Sequence, residues 1–253
     1  MPRTSTEIRT KDGLCPVSVF RPGTGGRWPA VLMYMDGPGI RPALFAMAER
    51  LAGHGYFVLL PDLFYRVGPY EVMDPKVLMS DPAKRQAWFA KYMASASRTN
   101  VREDTAAFLD FLGAQAHVVQ PKVGTTGYCM GGGHSLVAAG AYPERVVAAA
   151  SYHGGRLATD EPDSPHLLAP RMKAKVYVAG AVDDASFPDD MKQRLEEALT
   201  QAGVDHRIET YEGARHGWVP ADTPSHDPKA AERHWQTLLA LFDEVLKGSP
   251  RTK

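Results

Sequence analysis

Several features that would argue against an ordinary globular enzyme are absent from the sequence. Two cysteines, Cys15 and Cys129, among 253 residues are too few for a disulfide-rich scaffold. No apolar run is long enough to span a bilayer, and the first residues have no hydrophobic segment typical of a secretory signal. We therefore expect a cytoplasmic protein in which both thiols are reduced.

The sequence also has no excess charge of either sign. Lysine and arginine total 29, and aspartate and glutamate total 29, so the chain has no long-range field that would attract nucleic acid or an anionic membrane. Neither is expected as a partner. A small-molecule ligand fits this balance better, and we expect a monomer or a small homo-oligomer.

Short apolar runs alternate with longer amphipathic stretches along the chain. This alternation predicts the α/β class, with a mostly parallel twisted sheet, helices on both faces and a single domain over residues 1–253. The first two strands are expected to form an antiparallel hairpin around Lys11-Asp12-Gly13. The predicted strands are 5–10, 14–20, 30–35, 56–61, 122–128, 146–152, 175–179 and 206–211, and the predicted helices are 41–52, 98–112, 130–141, 188–202 and 227–247.

Residues 62–97 have a less regular pattern. Proline and glycine are frequent between Gly68 and Pro82, which predicts an excursion away from the sheet. Segments of this kind build pocket walls, because they can vary without disturbing the strands. After the excursion, apolar spacing resumes on one face of the helix predicted at 98–112.

A strand, a tight turn and a helix meet at Gly127-Tyr128-Cys129-Met130-Gly131. This glycine spacing is typical of a nucleophile elbow, in which the central residue is held in a strained turn and its neighbours two positions away need to be small. Cys129 also lies at the start of a predicted helix, where the positive end of the helix dipole favours a thiolate. The pattern therefore predicts that Cys129 is a nucleophile rather than a small core residue.

A cysteine nucleophile needs a base and an acid that orients it, and both candidates lie downstream. His216 follows the last predicted strand, whereas the other histidines are predicted to be on the surface or in the core. Asp183 and Asp184 follow the strand at 175–179. Counting from the strand favours Asp183 as the triad acid, but counting back from Pro188 favours Asp184, which we choose; either could instead cap the next helix.

The oxyanion formed during acyl transfer requires two backbone donors. The amide of Met130 is one candidate, because it directly follows the nucleophile. The second is expected in the loop after the strand at 30–35, where Gly37 is preferred because Pro38 has no N–H.

Together these segments resemble the dienelactone hydrolase family over nearly the whole chain. The resemblance implies an α/β-hydrolase fold, a Cys-Asp-His triad of Cys129, Asp184 and His216, hydrolysis of an enol-lactone or related ester, and no cofactor or metal. The stretches that carry it are Met35-Asp36-Gly37-Pro38-Gly39, Pro61-Asp62-Leu63-Phe64-Tyr65-Arg66, Gly127-Tyr128-Cys129-Met130-Gly131-Gly132 and the segments around Asp184 and His216.

The family resemblance also implies further site residues. Asp36 stands where the family usually has a glutamate that partners the resting thiol. Arg85 either corresponds to one of two arginines that bind a substrate carboxylate or lies on a solvated helix face, while Pro220 stands in place of the other arginine, four residues after His216. From the residues themselves, Trp218 and Phe187 are equally expected as apolar pocket walls or as core.

Two alternatives to a lactone-cleaving enzyme follow from the same residues. A general carboxylesterase acting on neutral short-chain esters would use the same triad, and Pro220 favours it. A thiol-sensing or ligand-binding protein could retain the fold and use Cys129 only as a reactive group. The presence of both His216 and Asp184 argues against a sensor, because a sensor needs no oriented base.

Overall fold

The computed structural model describes residues 3–23 and 25–248, and its centre is an eight-stranded sheet. In chain order the strands are β1 (Arg3–Thr10), β2 (Gly13–Phe20), β3 (Trp28–Tyr34), β4 (Phe57–Pro61), β5 (Val118–Tyr128), β6 (Val146–Tyr152), β7 (Lys175–Ala181) and β8 (His206–Tyr211). Their order across the sheet is β1-β2-β4-β3-β5-β6-β7-β8. The strands from β3 to β8 are parallel, and β2 pairs antiparallel with both β1 and β4.

Seven α-helices accompany the strands within the part of the chain that the structure describes. They are α1 (Pro42–Gly53), α2 (Pro75–Ser80), α3 (Pro82–Tyr92), α4 (Arg98–Gly113), α5 (Met130–Ala141), α6 (Asp189–Gln201) and α7 (Pro228–Leu246). Short 3₁₀ helices lie at Tyr65–Val67 and Pro165–Arg171. Among these described helices, none has the length and apolar character needed to cross a membrane.

Two consecutive residues of β5 show that helices cover both faces of the sheet. A Cβ atom on Gly124 would lie 2.7 Å from the ring of Phe242, which belongs to α7. The next side chain, Thr125, points to the opposite face and hydrogen-bonds Ser135 of α5, with 2.8 Å between the hydroxyl oxygens. The predicted α/β architecture with helices on both faces is confirmed, whereas the division into one domain stays a prediction.

The hairpin at the start of the chain is confirmed, but β5 begins earlier than the sequence predicts. Thr10 pairs with Gly13 across a two-residue turn, as expected. β5 starts at Val118 rather than at residue 122 because it continues through Pro121, a residue without an N–H for the ladder. A register shift opposite Trp28 and Ala30 of β3 accommodates the interruption.

The excursion at residues 62–97 contains two helices that the periodicity did not predict. Both begin at an Asp-Pro pair: Asp74 caps α2, and Asp81 caps α3 by accepting hydrogen bonds from the backbone N–H groups of the first turn. The two Asp-Pro pairs were the sequence signal from which these helices could have been predicted. Trp88 and Tyr92 of α3 pack with their ring centroids 4.3 Å apart and join an aromatic cluster with Phe64, which fixes α3 beside the sheet edge.

Candidate active site

Cys129 lies alone in the turn between β5 and α5, with φ of 55°. A Cβ atom on Gly127 would lie 1.9 Å from the carbonyl oxygen of Gly131, and one on Gly131 would lie 2.5 Å from the carbonyl oxygen of Met35. No side chain fits at either position. The glycine spacing is therefore a steric requirement of the turn, which leaves the Cys129 side chain partly exposed.

Left-handed backbone is concentrated around this turn. Within the described residues, four non-glycine residues have positive φ: Cys129, His153, Arg156 and Asp183. They follow the carboxyl ends of β5, β6 and β7, which are neighbours in the sheet. Residues in sparsely populated backbone conformations cluster at functional sites because the surrounding structure has to hold them there. This edge of the sheet is therefore the candidate active site.

An acid and a base meet at the same edge. Nδ1 of His216 lies 2.7 Å from Oδ2 of Asp184, while Asp183 makes no comparable bond in the described structure. Ser186 donates to Oδ1 of Asp184 from its hydroxyl, at 2.6 Å, and from its backbone N–H, at 2.9 Å. Burial raises the pKa of Asp184, but the hydrogen bonds from His216 and Ser186 outweigh it and lower that pKa to about 2.

His216 also interacts with Cys129, whose side chain lies close enough to affect the pKa of the imidazole. Burial lowers the pKa of His216, but the negative charge of Cys129 and the hydrogen bonds to Asp184 and Cys129 raise it to about 10. At neutral pH the imidazole is therefore positively charged when the thiolate is present. His216 thus interacts with both the carboxylate of Asp184 and the side chain of Cys129.

A cavity of about 1070 Å³ opens over these side chains. Cys129, Asp184 and His216 line one side of it, together with Met130. The excursion contributes Met79, Arg85, Phe89 and Met93 to the cavity wall. Ligand pockets are usually about 300–1,000 Å³, so the volume is sufficient for a substrate larger than a simple lactone.

Four arginines line this cavity, but only two of them are committed to ion pairs. Arg98 and Arg156 are each paired with an acidic side chain. Arg85, which was predicted to bind substrate, donates a single hydrogen bond to a backbone carbonyl. Arg215, the neighbour of His216, makes no hydrogen bond or ion pair within residues 3–23 and 25–248, and the sequence analysis missed it.

Comparison with known proteins gives the family. The profile of the dienelactone hydrolase family matches residues 16–246. The chain belongs to the dienelactone hydrolase family. Membership confirms both the predicted resemblance and the predicted class, an enzyme that hydrolyses ester or lactone bonds.

Individual relatives agree with this family membership. The carboxymethylenebutenolidase of Rhodococcus opacus is 27% identical over 231 residues, which cover 87% of this chain and 83% of the relative. A dienelactone hydrolase-like promiscuous phosphotriesterase from metagenomic libraries has a crystal structure that matches with a TM-score of 0.74 and 25% identity, covering 97% of this chain and 99% of the other. A Klebsiella pneumoniae protein has the same fold, with a TM-score of 0.82, 22% identity and coverage of 96% and 98%.

One expectation drawn from the dienelactone hydrolase family does not fit the structure. Asp36 was expected to partner the Cys129 thiol, but Arg41 binds both of its carboxylate oxygens, at 2.5 and 2.9 Å. Arg41 is buried and also binds Asp222 at 2.7 Å. Because a bidentate guanidinium occupies Asp36, this carboxylate is not available to the thiol; it instead joins the loop after β3 to the loop after His216.

The two aromatic residues proposed as pocket walls belong to the core. Trp218 and Phe187 are both completely buried, and neither lines the cavity. The Trp218 ring packs against Tyr211 and His153, with centroids 5.2 and 4.9 Å apart. Their burial beneath the catalytic loops excludes contact with substrate, so of the two readings weighed from sequence, the core reading is correct.

The proposed oxyanion donors lie in suitable segments. Met130 is the first residue of α5, where backbone N–H groups have no partner within the helix. Gly37 lies in the loop after β3, and its carbonyl accepts a hydrogen bond from Nε1 of Trp88 at 3.0 Å. The ring of Phe89 also packs against Gly37, so α3 holds this loop beside the cavity. The role of both amides remains a prediction.

Two residues that contact Cys129, Asp184 or His216 were missed by the sequence analysis. Ser186 binds Asp184 as described above, and its hydroxyl lies 3.2 Å from Nδ1 of His216. His153 directly follows β6, and its Nδ1 accepts a hydrogen bond from the backbone N–H of Cys129 at 3.1 Å. Both lie just beyond parallel strands at the catalytic edge, so their position after a strand was the signal that could have identified them.

Proposed function

We propose that the protein hydrolyses a carboxylic ester or lactone through a covalent acyl-enzyme on Cys129. The observation that carries the proposal is the position of His216, which is hydrogen-bonded to the carboxylate of Asp184, interacts with Cys129 and lines the same cavity as both. A thiolate held beside an imidazolium is a ready nucleophile, because no proton has to be removed before attack.

In the first half of the reaction, the Cys129 thiolate attacks the carbonyl carbon of the substrate and forms a C–S bond. The carbonyl oxygen becomes an oxyanion, which the amides of Met130 and Gly37 would receive. Collapse of the intermediate breaks the C–O bond to the leaving group. His216 gives its proton to the departing oxygen, which leaves as an alcohol or, in a lactone, remains attached to the acyl group.

In the second half, neutral His216 acts as a base. Acylation has removed the negative charge on sulfur that raises the pKa of His216, so the neutral imidazole persists long enough to accept a proton from water. The resulting hydroxide attacks the thioester, the C–S bond breaks, and the carboxylic acid departs. Asp184 keeps the proton on Nδ1 throughout, so that Nε2 remains directed at the reacting atoms.

The cavity supports a substrate with an anionic group rather than only neutral short-chain esters. From the sequence, Pro220 in place of a second arginine favoured neutral esters. Arg215 adds a second uncommitted guanidinium beside His216. A carboxylesterase acting on neutral esters stays the second candidate, supported by the apolar wall formed by Met79, Phe89 and Met93.

Mass spectrometry of the protein during hydrolysis of a slow aryl ester tests the proposal. We expect an acyl adduct on the peptide containing Cys129, which accumulates and decays as acid product appears. Cys15 is completely buried and serves as an internal control that stays unmodified. A stable adduct without product release would support the thiol-sensing alternative, and turnover without an adduct on Cys129 would contradict the proposed mechanism.

A further inference from the structure

We propose that His153 is a positioning residue that holds the nucleophile turn and the catalytic histidine in register, as a neutral imidazole protonated on Nε2. The inference rests on the proposed function, because the role is defined by contacts with Cys129 and His216. Nothing in the triad chemistry itself requires a second histidine here.

The first observation is the bond between His153 and the backbone of the nucleophile. The amide of Cys129 is shared between Nδ1 of His153, at 3.1 Å, and the carbonyl oxygen of Tyr152, at 3.2 Å. A ring nitrogen that accepts a hydrogen bond has no proton, so the single proton of the neutral ring belongs on Nε2. Protonation of Nδ1 would break the bond that anchors the strained Cys129 backbone.

The second observation is the packing of the same ring against the base. The His153 and His216 rings meet edge to face, with centroids 5.3 Å apart and an angle of 65° between their planes. Trp218 packs on His153 at 4.9 Å in a similar arrangement. One buried side chain thus contacts both the backbone of the nucleophile and the imidazole of the base.

The backbone around His153 extends this connection to the acid. Its N–H donates to the carbonyl oxygen of Ala179 in β7 at 2.8 Å, and the residue is held at φ of 40°. Within the same turn, the N–H of Arg156 donates to the carbonyl oxygen of Ser186 at 2.6 Å. Ser186 in turn binds Asp184, so this turn links the segments that carry the three members of the triad.

The environment keeps the His153 ring uncharged. Burial, followed by the charges of His216 and His234, lowers the pKa of His153 well below its usual value, against an opposing contribution from Asp184. These three groups and the Tyr128 ring are the titratable groups that face it. Nε2 is buried and makes no hydrogen bond within the described residues, so His153 cannot relay a proton to the thiol.

Two substitutions separate the hydrogen bond from the packing. His153→Phe keeps a ring of similar shape but removes one of the two acceptors for the Cys129 amide. His153→Asn keeps an acceptor close to the backbone and tolerates the left-handed conformation. We expect His153→Phe to lower kcat by about 3- to 10-fold, the range for losing one hydrogen bond from a donor that keeps a second acceptor, with KM changed less than about twofold. His153→Asn should recover a large part of that loss.

Alkylation of Cys129 by iodoacetamide gives a readout that does not depend on ester turnover. We expect His153→Phe to slow alkylation and to change its dependence on pH, because the thiolate loses its alignment with His216. His234→Phe is the matched control: His234 is equally buried and also packs on Tyr128, but it bonds the Tyr128 hydroxyl rather than the nucleophile. The His234→Phe variant should have a lower Tm, while its kcat and its rate of alkylation stay within about twofold of those of the unmodified protein.

The outcomes distinguish positioning from simple stabilisation. If His153→Phe lowers only Tm, as His234→Phe is expected to, or if His153→Asn is no better than His153→Phe, the proposal is overturned. Should His153→Phe not fold, the ¹⁵N NMR signals of the unmodified protein decide, because a charged or Nδ1-protonated His153 at pH 6 contradicts the proposed tautomer. If His153→Phe slows alkylation of Cys129 but the unmodified protein has no esterase activity, the role of His153 is supported and the proposed function is refuted.

Discussion

Two parts of the cavity, the proposed catalytic corner and the wall formed by the excursion, are held by different interactions. The proposed catalytic corner, formed by Cys129, Asp184 and His216, follows the ends of parallel strands and is fixed by hydrogen bonds to backbone and side chains. The cavity wall comes from α2, α3 and the residues next to them, where thioether and aromatic side chains dominate. Arg85 is attached there by a single hydrogen bond to a carbonyl.

We infer from this difference that the corner carries out the reaction and that the wall determines which substrates are preferred. Short loops at the ends of parallel strands hold reacting atoms in a geometry that tolerates little displacement. Methionine side chains such as Met79 and Met93 adapt to different shapes, and a wall outside the sheet can change without disturbing the strands. Changes in the corner should therefore reduce turnover of every substrate, whereas changes in the wall should alter the preference among substrates.

Removal of the nucleophile should have the largest effect. We expect Cys129→Ala to lower kcat by roughly 10⁴-fold or more for charged and neutral esters alike, because the covalent pathway is lost. The fold should remain intact, since the side chain is partly exposed and fills no core space. Steady-state kinetics with circular dichroism as a folding control measure both effects. Retained activity in this variant would remove Cys129 from the corner.

Asp184 and Asp183 form a matched pair for testing the triad acid. Asp184→Asn should lower kcat by roughly 10²- to 10⁴-fold, because the amide no longer holds the working tautomer of His216. Asp183→Asn should stay within about threefold of the unmodified protein, since asparagine tolerates the left-handed backbone found there, with φ of 49°. Comparable kinetics for the two variants, or a larger loss for Asp183→Asn, would reassign the acid.

Arginine substitutions in the cavity should change preference without changing the chemistry. Arg85→Gln and Arg215→Gln are each expected to lower kcat/KM about tenfold for an ester that carries a carboxylate, because a charge-assisted hydrogen bond is lost. A neutral ester of similar size should change less than about twofold. Arg102→Gln, an exposed arginine outside this cavity, controls for the change in total charge. An unchanged ratio in both cavity variants would favour the carboxylesterase with neutral substrates.

The smallest expected effect is a change in the pKa of His216, which lies in the corner. The pKa of His216, about 10, should fall in Cys129→Ala because the adjacent negative charge is removed. Since the folded-state pKa lies above the ordinary value of 6.5, this ion pair stabilises the fold fully below pH 6.5 and ceases to do so as pH rises towards 10. A histidine NMR titration of both proteins measures the shift, and an identical titration would mean that Cys129 carries no charge beside His216.

Local constraints in the sequence were sufficient for the alternating elements and for the turn at Cys129. Gly127 and Gly131 are required by contacts within a few residues or with an adjacent strand, so their spacing is visible in the sequence itself. The order of Cys129, an acid and His216 follows from strands that end at one edge of a parallel sheet. The glycine spacing and the order of these residues depend on local backbone geometry, and short sequence patterns are sufficient to predict it.

Only the tertiary structure decided which polar groups meet across the sheet edge. Arg41 joins Asp36 to Asp222, 181 residues away from Arg41, and thereby withdraws Asp36 from the thiol. His153 had the same sequence signature as a buried core histidine, and its contact with the Cys129 amide arises from the pairing of β5 with β6. Side-chain pairing between distant segments leaves no periodic trace, because it depends on the packing of the whole sheet rather than on local backbone propensity.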